Sequence, residues 1–509
     1  MKVEAPIEVE VLTGPPGCGK STKLREEVRD KKGLYLFFLP TIPLIREQVA
    51  AFEREAPGVR VFEAHSKPPG RGAVQRKLED LRAKVIAEGI EHAVVLTTHE
   101  TLMGTDFATF NGWHARIDEA PNAVKGQTVR VANAIDYFKA NFDLEPVEAA
   151  KPMAVVVPKG PPPNPRDIDK DALLKPLGEF IKRASTPSGV FVEATSWSGL
   201  VDLKWWSIWS PSTLRDFASV RVAGASYETS LGALVVRKWF SHLVRLKPIP
   251  IPMVRSGTPS IRIHYFTQSH RPSSTFWDSA VGRLMLSRVA EFLSAQAPDL
   301  GFWSGNAEVL KYLQWRIGGE RVRPRVAGLN KWRDRTSCAL IYSSGATLHD
   351  QPFMEAVGIT ADQVRHARED EDILQFAMRG AIRNEAFDGS YDIYIYEKEQ
   401  AERLAGRLQL SSVGQVEIVP EPSAGILDDP AEALPEFDDG EEAGKAAGPA
   451  RKSPRGSIPK RGSVPEKVLN PKTNRMVLPK SLKRNTQRGR NSSGKIKNRV
   501  GRPTKGTTT

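Results

Sequence analysis

Apolar and polar positions alternate in a pattern that predicts strands and helices in regular succession along the first 100 residues. Ile7–Leu12 alternates apolar and polar residues and ends in a Gly/Pro loop, which is typical of a strand. Gly33–Pro40 is a continuous apolar run, as in a strand covered on both faces. Helical patterns follow each strand, in STKLREEVRD and PLIREQVAAFERE. RVFEAH, AVQRKLEDLRAKVIAEG and HAVVLTT repeat the order, which predicts a parallel sheet covered by helices.

A second strand–helix series follows a middle region in which the alternation of strands and helices is less regular. KGPPPNPRD reads as a turn or linker, and SGLVDLKWWSIWSPS is rich in tryptophan. Strand patterns return near residues 218–223 and 262–266, and then at 300–303, 337–343 and 391–397. The predicted fold is α/β, with two tandem parallel-sheet domains. The predicted divisions are a first domain at 1–240 with a Pro/Trp-rich insertion at about 144–215, a second domain at 255–412, an acidic linker at 413–444 and a basic tail at 445–509.

The composition indicates a globular protein without a membrane span. Of the 509 residues, 40% are hydrophobic and 26% are charged, and no apolar run approaches the roughly 20 residues that a bilayer requires. The start, MKVEAPIEVEV, lacks the apolar core of a secretory signal. Cys18 and Cys338 are too few for a disulfide framework or a zinc site. We therefore expect a reducing, cytoplasmic setting.

Positive charge is concentrated at the carboxyl end of the chain. Residues 445–509 hold 19 lysines and arginines against the single acid Glu466, a net +18, so residues 1–444 carry −5 of the overall +13. A segment so charged and so poor in apolar clusters is predicted to be disordered. We expect a polyanion as its partner, with nucleic acid favoured over the alternative of a merely solubilising tail.

The strongest chemical signal is GPPGCGKS, Gly14–Ser21, between a predicted strand and a predicted helix. It matches the phosphate-binding loop G-x-x-x-x-G-K-[ST], whose backbone N–H groups surround the phosphates beside a helix amino terminus. In this motif Lys20 reaches the β- and γ-phosphates of ATP and Ser21 holds Mg²⁺. The predicted nucleotide-binding residues are Gly14, Gly17, Gly19, Lys20, Ser21 and Thr22.

A second signal, ARIDEAP, places two adjacent acids at the end of a short predicted strand. Asp118 is predicted to bind the Mg²⁺ shell beside the loop. Glu119 is predicted to orient or deprotonate the attacking water, a role that a nucleotide kinase does not require.

Taken together, GPPGCGKST, FFLPTIPLIREQ, VVLTTHETLM and IDEAP resemble the first motor domain of a superfamily-2 helicase, with a D-E-A-P box in place of D-E-A-D or D-E-A-H. The resemblance implies two RecA-like domains, ATP hydrolysis and contact with a nucleic-acid backbone. The residues that fill the backbone-contacting positions of the family are Pro40, Thr41, Arg46, Thr97, Thr98 and His99.

The later part of the chain resembles the family more loosely. VAGASYETS is similar to the motif that couples hydrolysis to movement, with Ala225 and Ser226 at its small and hydroxyl positions. GFWSGN resembles the first strand and loop of the second motor domain, and Gly328–Asn330 the core of a loop–strand motif. ILQFAMRGAIRNEAFDG is similar to the arginine motif. Its residues Gln375, Arg379 and Arg383 are four apart, which predicts one helical face, and Arg383 is the preferred arginine finger.

Other aromatic and basic residues carry weaker signals. The tryptophans at 197, 205, 206 and 209 are predicted to be buried packing, with base stacking as the alternative. The histidines at 65, 114 and 349 are predicted to be structural. The tail sequence KNRVGRPTKG resembles an AT-hook, so Arg499 and Arg502 are predicted to contact DNA, with non-specific phosphate binding as the alternative to minor-groove binding.

The sequence thus predicts an ATP- and Mg²⁺-dependent helicase or translocase that hydrolyses ATP by direct water attack. DNA is favoured over RNA, and replication or recombination proteins are further expected partners. The G-L-N sequence ahead of the arginine motif resembles helicase-like proteins of phages and plasmids. Three alternatives stay open: an ATPase that remodels nucleic-acid complexes without separating strands, a P-loop phosphotransferase, and a binding module with a decayed ATPase.

Overall fold

A computed structural model describes most of the chain. The described residues are 5–65, 73–130, 135–147, 153–161, 168, 177–197, 202–268, 274–324, 331–421, 468–470 and 475–477. Contacts divide the chain into two units, Met1–Pro435 and Glu436–Thr509. In the described part no helix is long and apolar enough to cross a bilayer.

The first unit opens with strands and helices in alternation, as the pattern predicts. Before residue 120 the strands and α-helices of the described residues are, in order, β1 (Ile7–Thr13), α1 (Lys20–Asp30), β2 (Leu34–Leu39), α2 (Ile42–Glu55), β3 (Arg60–Ala64), α3 (Ala73–Ala87), β4 (Ala93–Thr98), α4 (His99–Gly104) and β5 (His114–Asp118). The β2 run is buried from Tyr35 to Leu39 because helices cover both of its faces. Helix α2 begins after Thr41, whose Oγ1 accepts a hydrogen bond from Leu44 N.

An antiparallel sheet is inserted directly after β5. Its elements are β6 (Val124–Arg130), α5 (Ile135–Asn141), β7 (Phe142–Pro146), β8 (Met153–Pro158), α6 (Gly178–Ala184), β9 (Phe191–Glu193) and β10 (Asp202–Ile208). The strand order is β6-β10-β9-β8-β7, with each neighbouring pair antiparallel.

The chain then returns to the first sheet. The returning elements are β11 (Ser219–Ala223), α7 (Leu231–Trp239) and β12 (Val244–Pro250). The completed sheet has seven parallel strands in the order β12-β1-β11-β5-β2-β4-β3. Strands β1, β11 and β5 are therefore neighbours, and their carboxyl ends meet at one point of the sheet edge.

A second parallel sheet forms the second lobe. Its elements are β13 (Ser260–Thr267), α8 (Ser274–Asp278), α9 (Ala280–Gln296), β14 (Phe302–Gly305), α10 (Ala307–Leu313), β15 (Glu320–Arg321), β16 (Ser337–Ile341), α11 (Gln351–Val357), α12 (Ala361–Ala377), β17 (Ser390–Glu397), α13 (Lys398–Leu410) and β18 (Gln415–Pro420). The order is β15-β14-β16-β17-β13-β18, with all pairs parallel. The predicted α/β class with two parallel-sheet domains is confirmed.

Several predicted boundaries differ from the structure. The insertion begins at Val124 and not near 144, because β6 is needed to pair with β10. The first lobe extends past residue 240, since β12 pairs with β1 along its whole length. The predicted linker begins inside the second lobe, since β18 pairs with β13. GFWSGN supplies the second strand of this lobe and not its first, because β13 precedes it.

The second unit contains a small antiparallel pair, β19 (Val468–Asn470) with β20 (Arg475–Val477). The remainder of the predicted basic tail, with Arg499 and Arg502, lies outside the described residues.

An apolar cluster joins the insertion to the second lobe, and we call it the joint core. It contains Trp206 and Phe191 from the insertion, Trp239 from α7, and Phe353 and Val357 from α11. The Trp206 ring packs against His349, with the ring centroids 4.9 Å apart. Trp239 Nε1 donates a hydrogen bond to Ala356 O at 3.2 Å. The two lobes are therefore connected by packing as well as by the chain.

Replacing Trp206 with alanine is expected to lower the free energy of unfolding by about 3–5 kcal/mol, because the side chain is only 1% exposed and leaves a cavity in the joint core. Chemical denaturation followed by circular dichroism measures the change. Trp315→Ala is the matched control, because Trp315 is 86% exposed and its loss should cost no more than about 0.5 kcal/mol. Equal destabilisation by both variants would contradict the assignment of a joint core.

Candidate nucleotide site

The loop between β1 and α1 has the backbone conformation that the phosphate-binding motif requires. Gly14, Gly17 and Gly19 all have positive φ, at 147°, 91° and 86°. A Cβ on Gly14 would lie 2.4 Å from Ile251 O, so that position also lacks space for a side chain. Lys20 Nζ donates to Gly14 O and to Pro15 O, both at 2.7 Å, and is thus held inside the loop. Burial lowers the pKa of Lys20. The nearby Cys18, Glu371 and Asp118 act in the opposite direction and raise it.

The acidic pair lies beside this loop, at the carboxyl end of β5. Ser21 Oγ donates a hydrogen bond to Asp118 Oδ1 at 2.7 Å. Asp118 is buried, and the loss of hydration raises its pKa. A hydroxyl and a carboxylate oxygen in contact fit Mg²⁺, which takes one or two protein oxygens and completes its shell with water and phosphate oxygens. Ser21 and Asp118 are therefore suited to hold the metal of a metal–nucleotide complex.

Glu119 has a strained backbone, with φ at 65°, which is uncommon for a residue other than glycine. Its N–H donates to Ala223 O at 2.7 Å, so the neighbouring strand β11 holds this conformation. Burial raises the pKa of Glu119 to about 7, assisted by the charges of Asp118 and Glu371 and opposed by Arg379 and Arg383. Backbone strain of this kind clusters at functional sites.

The predicted continuous helix through the arginine motif is wrong. Helix α12 ends at Ala377, and Arg383 lies in a separate short 3₁₀ turn, Ala381–Arg383. Tyr391 Oη donates a hydrogen bond at 3.0 Å to Ala377 O, at the end of the helix. Gly380, between the helix and the turn, has an extended backbone, and a Cβ there would lie 2.1 Å from Tyr391 Oη, so the position has no space for a side chain.

Arg383 nevertheless reaches the nucleotide loop, and Arg379 lies close enough to Glu119 for their charges to interact. The Cγ of Arg383 lies 3.2 Å from the place where a Cβ on Gly17 would stand, so this side chain packs directly on the loop of the other lobe. Within the described residues, the buried Nε of Arg383 has no hydrogen-bond partner. Burial lowers the pKa of Arg379 to about 10, while the charge of Glu119 acts in the opposite direction. Two cations of the second lobe thus face the acids of the first.

Glu371 is a residue of this cleft that the sequence analysis did not identify. Its Oε1 accepts a hydrogen bond from Gln375 Nε2 at 2.9 Å. Its charge acts on both Lys20 and Glu119. The available signal was spacing, because Glu371 stands one helical turn before Gln375 on α12.

A second contact between the lobes involves the predicted coupling motif. Ser226 follows β11, and its Oγ accepts a hydrogen bond from Arg407 Nη1 of α13. Arg407 Nη2 donates to Thr229 Oγ1 at 3.0 Å and to Asp370 Oδ2 at 3.1 Å. Arg407 was not predicted, because nothing in its local sequence separates it from an ordinary surface arginine.

The predicted backbone-contacting residues lie in two different environments. Thr41 and Arg46 are exposed and Pro40 is half-buried, after the carboxyl end of β2. Thr98 is half-buried and caps α4. Thr97 is fully buried and donates to Ala64 O, and His99 is buried with Nε2 bonded to Asp118 O. The burial of these last two side chains argues against their prediction as nucleic-acid contacts.

The remaining predictions concern packing residues. Each of the four tryptophans is at most 9% exposed, which confirms the packing interpretation over base stacking. His65 contacts Glu63, His114 contacts Ser219, and His349 contacts Thr128. Gly328–Asn330 lie outside the described residues.

Fold and site together define a P-loop-type α/β protein of two parallel-sheet lobes. No family model and no curated protein matches the chain. Among solved structures, an XPD helicase is similar over 81% of this chain and 96% of its own, at 11% identity and a TM-score of 0.45. Xpd4 of S. tokodaii has the same identity and coverage with a TM-score of 0.42. Arterivirus nonstructural protein 10, a helicase solved with DNA, is 13% identical over 80% of this chain and 63% of its own, with a TM-score of 0.26.

Proposed function

We propose that the chain is an ATP-dependent helicase or translocase that hydrolyses ATP by direct attack of water. The observation that carries the proposal is the contact of Arg383, from the second lobe, with Gly17 of the phosphate-binding loop. A cation supplied across a cleft stabilises charge on the transferring phosphoryl group only when the lobes are closed. Hydrolysis and lobe movement are thereby coupled, which a phosphotransferase acting alone does not require.

In this proposal Lys20 and the loop glycines bind the phosphates. Ser21 and Asp118 would hold Mg²⁺, which would supply positive charge to the phosphate oxygens. Glu119 accepts a proton from the attacking water or orients it. Arg379 and Arg383 stabilise the transition state, and Gln375 positions Glu371 at the same cleft. The lysine and the two acids that ATP hydrolysis requires, Lys20, Asp118 and Glu119, are all present, which argues against a decayed ATPase.

We infer that the substrate strand is nucleic acid, with DNA favoured. The support is the +18 charge of residues 445–509, with Arg499 and Arg502 in an AT-hook-like sequence, together with exposed Thr41 and Arg46 at the carboxyl edge of the first sheet. A cytoplasmic setting in a phage or mobile-element context, with replication or recombination partners, is part of the same proposal.

The test is ATP hydrolysis with and without single-stranded DNA or RNA. The wild-type chain, Lys20→Ala and a form ending at residue 444 are compared. Stimulation by DNA that persists in the shortened form, and is lost in Lys20→Ala, supports a nucleic-acid-driven motor. Hydrolysis that is indifferent to nucleic acid contradicts the proposal and favours a phosphotransferase. If all DNA affinity resides in 445–509, a binding module is favoured.

A further inference from the structure

The segment that joins the two lobes, residues 251–259, lies against both of them, and we call it the connecting segment. It runs from the end of β12 to the start of β13. Ile251 packs against the core of the first lobe, and its N–H donates a hydrogen bond at 2.7 Å to Thr13 O, directly before the phosphate-binding loop. Two residues further on, Met253 is buried in the core of the second lobe. The connecting segment is therefore anchored in both lobes.

Arg255 of the connecting segment is bonded to the part of the second lobe that carries Arg383. We call that part, residues 381–387, the finger segment. The Arg255 guanidinium donates hydrogen bonds to three backbone carbonyls there, those of Ile382 (2.6 Å), Asn384 (2.8 Å) and Phe387 (3.3 Å). Arginine is suited to this task, because its N–H donors are fixed in a planar fork. One side chain thus holds the backbone on both sides of Arg383.

The backbone of the connecting segment also contacts the finger segment. Ser256 N and Gly257 N both donate to Glu385 O, at 3.1 and 3.0 Å. A Cβ on Gly257 would lie 2.4 Å from Phe387 O, so the two segments are too close there for a larger residue. The carbonyl of Glu385 therefore joins the three that Arg255 holds.

The finger segment depends on such contacts because it has little regular structure of its own. Helix α12 ends at Ala377, and the finger segment, all of it in the described part of the chain, contains a single 3₁₀ turn, Ala381–Arg383. Arg255 is half-buried, and burial lowers its pKa while the charge of Glu385 raises it. Hydrogen bonds from a charged donor are stronger than those between neutral groups, so the loss of Arg255 should free the finger segment.

We propose that Arg255 is a positioning residue that holds Arg383 against the phosphate-binding loop, by fixing the finger segment to the connecting segment. Ile251 is bonded beside the loop and Arg255 is bonded to the finger segment, with only residues 252–254 between them. A displacement of about 1 Å in a reacting group can cost about 10²-fold in rate, so this short connection matters for hydrolysis. The inference rests on the proposed function, since Arg383 must itself act on the phosphoryl group.

The experiment compares Arg255→Ala with wild type in single-turnover ATP hydrolysis on the full chain, with the affinity for a non-hydrolysable ATP analogue measured in parallel. Arg255→Ala is expected to slow hydrolysis by about 10- to 100-fold with affinity within about twofold of wild type, because Lys20 and Ser21 are untouched. Arg255→Lys keeps the charge, but one ammonium cannot span three carbonyls, so an intermediate rate is expected. Arg316→Ala is the matched control, because this exposed arginine also donates to a carbonyl, Tyr312 O at 2.6 Å, and should leave hydrolysis unchanged.

The double variant Arg255→Ala with Arg383→Ala separates positioning from an independent role. A residue that acts only through Arg383 adds nothing once Arg383 is absent, so the double variant should hydrolyse ATP within about twofold of Arg383→Ala. Thermal unfolding is measured for each variant, and if Arg255→Ala does not fold, Arg255→Lys takes its place in this comparison.

Several results would overturn the positioning role of Arg255. They are effects that multiply in the double variant, hydrolysis by Arg255→Ala within twofold of wild type, and a loss of nucleotide affinity as large as the loss of hydrolysis. Hydrolysis by Arg383→Ala at the wild-type rate also overturns it, because there is then no finger to position. In each of these results the wild type still hydrolyses ATP, whereas a wild type without hydrolysis removes the proposed function itself.

Discussion

Replacing Arg383 with alanine is expected to slow ATP hydrolysis by about 10³–10⁵-fold, while ATP still binds. The Arg383 side chain packs on Gly17 from the opposite lobe, whereas the positive φ angles of the loop belong to its own glycines. Its loss therefore removes charge stabilisation in the transition state and leaves the ground-state contacts of Lys20 and Ser21. Single-turnover hydrolysis, with nucleotide affinity measured in parallel, separates the two effects.

Two further variants make the Arg383 result specific. Arg383→Lys keeps the charge but not the planar guanidinium, so we expect only partial recovery. Arg288→Ala removes an exposed arginine of α9 that pairs with Glu291 at 3.4 Å, and it should leave hydrolysis unchanged. If Arg383→Ala hydrolyses ATP at a rate within threefold of wild type, Arg383 is not the arginine finger. Either Arg379 supplies the finger or the site has none.

Replacing Glu119 with glutamine is expected to lower hydrolysis by about 10²–10⁴-fold, because the amide cannot take a proton from water. Binding of Mg²⁺–ATP should persist, since Ser21 and Asp118 keep their oxygens. The measurement is hydrolysis at saturating ATP, together with binding of a fluorescent ATP analogue.

Asp118→Asn provides the comparison for Glu119. It removes the carboxylate that contacts Ser21, so it should weaken the Mg²⁺ dependence of nucleotide binding as well as hydrolysis. If Glu119→Gln also loses nucleotide binding, Glu119 has a structural role in the site.

Local chemistry explains why much of the nucleotide site was predictable. The glycines, Lys20 and Ser21 act within one eight-residue segment, and their spacing reflects the size of a phosphate group. Asp118 is recognisable in the sequence because the end of a strand is also a local feature. The positive φ of Glu119 is not recognisable, since it depends on a hydrogen bond to Ala223, about 100 residues further along the chain.

Long-range contacts explain where prediction failed. The spacing of Arg379 and Arg383 is helical, yet the helix ends at Ala377, whose carbonyl accepts a hydrogen bond from Tyr391 Oη of β17. The local sequence does not reveal that contact. The predicted start of the insertion lies too far along the chain, because β6 is defined by its pairing with the distant strand β10. In that pairing Lys125 lies opposite Ser207. Thr97 and His99 are buried, but threonine and histidine also occur at protein surfaces, so their burial does not follow from residue type alone.

The joint core also bears on how the protein can be dissected. Trp206, Trp239 and Phe353 meet from separate parts of the chain, so a fragment ending near residue 250 would expose one half of that cluster and the complementary fragment the other. Apolar patches of this kind promote aggregation. The halves are therefore poor candidates for separate expression, and heating should melt both sheets in one cooperative event rather than two. Any swing of one lobe on the other must keep this cluster intact or repack it.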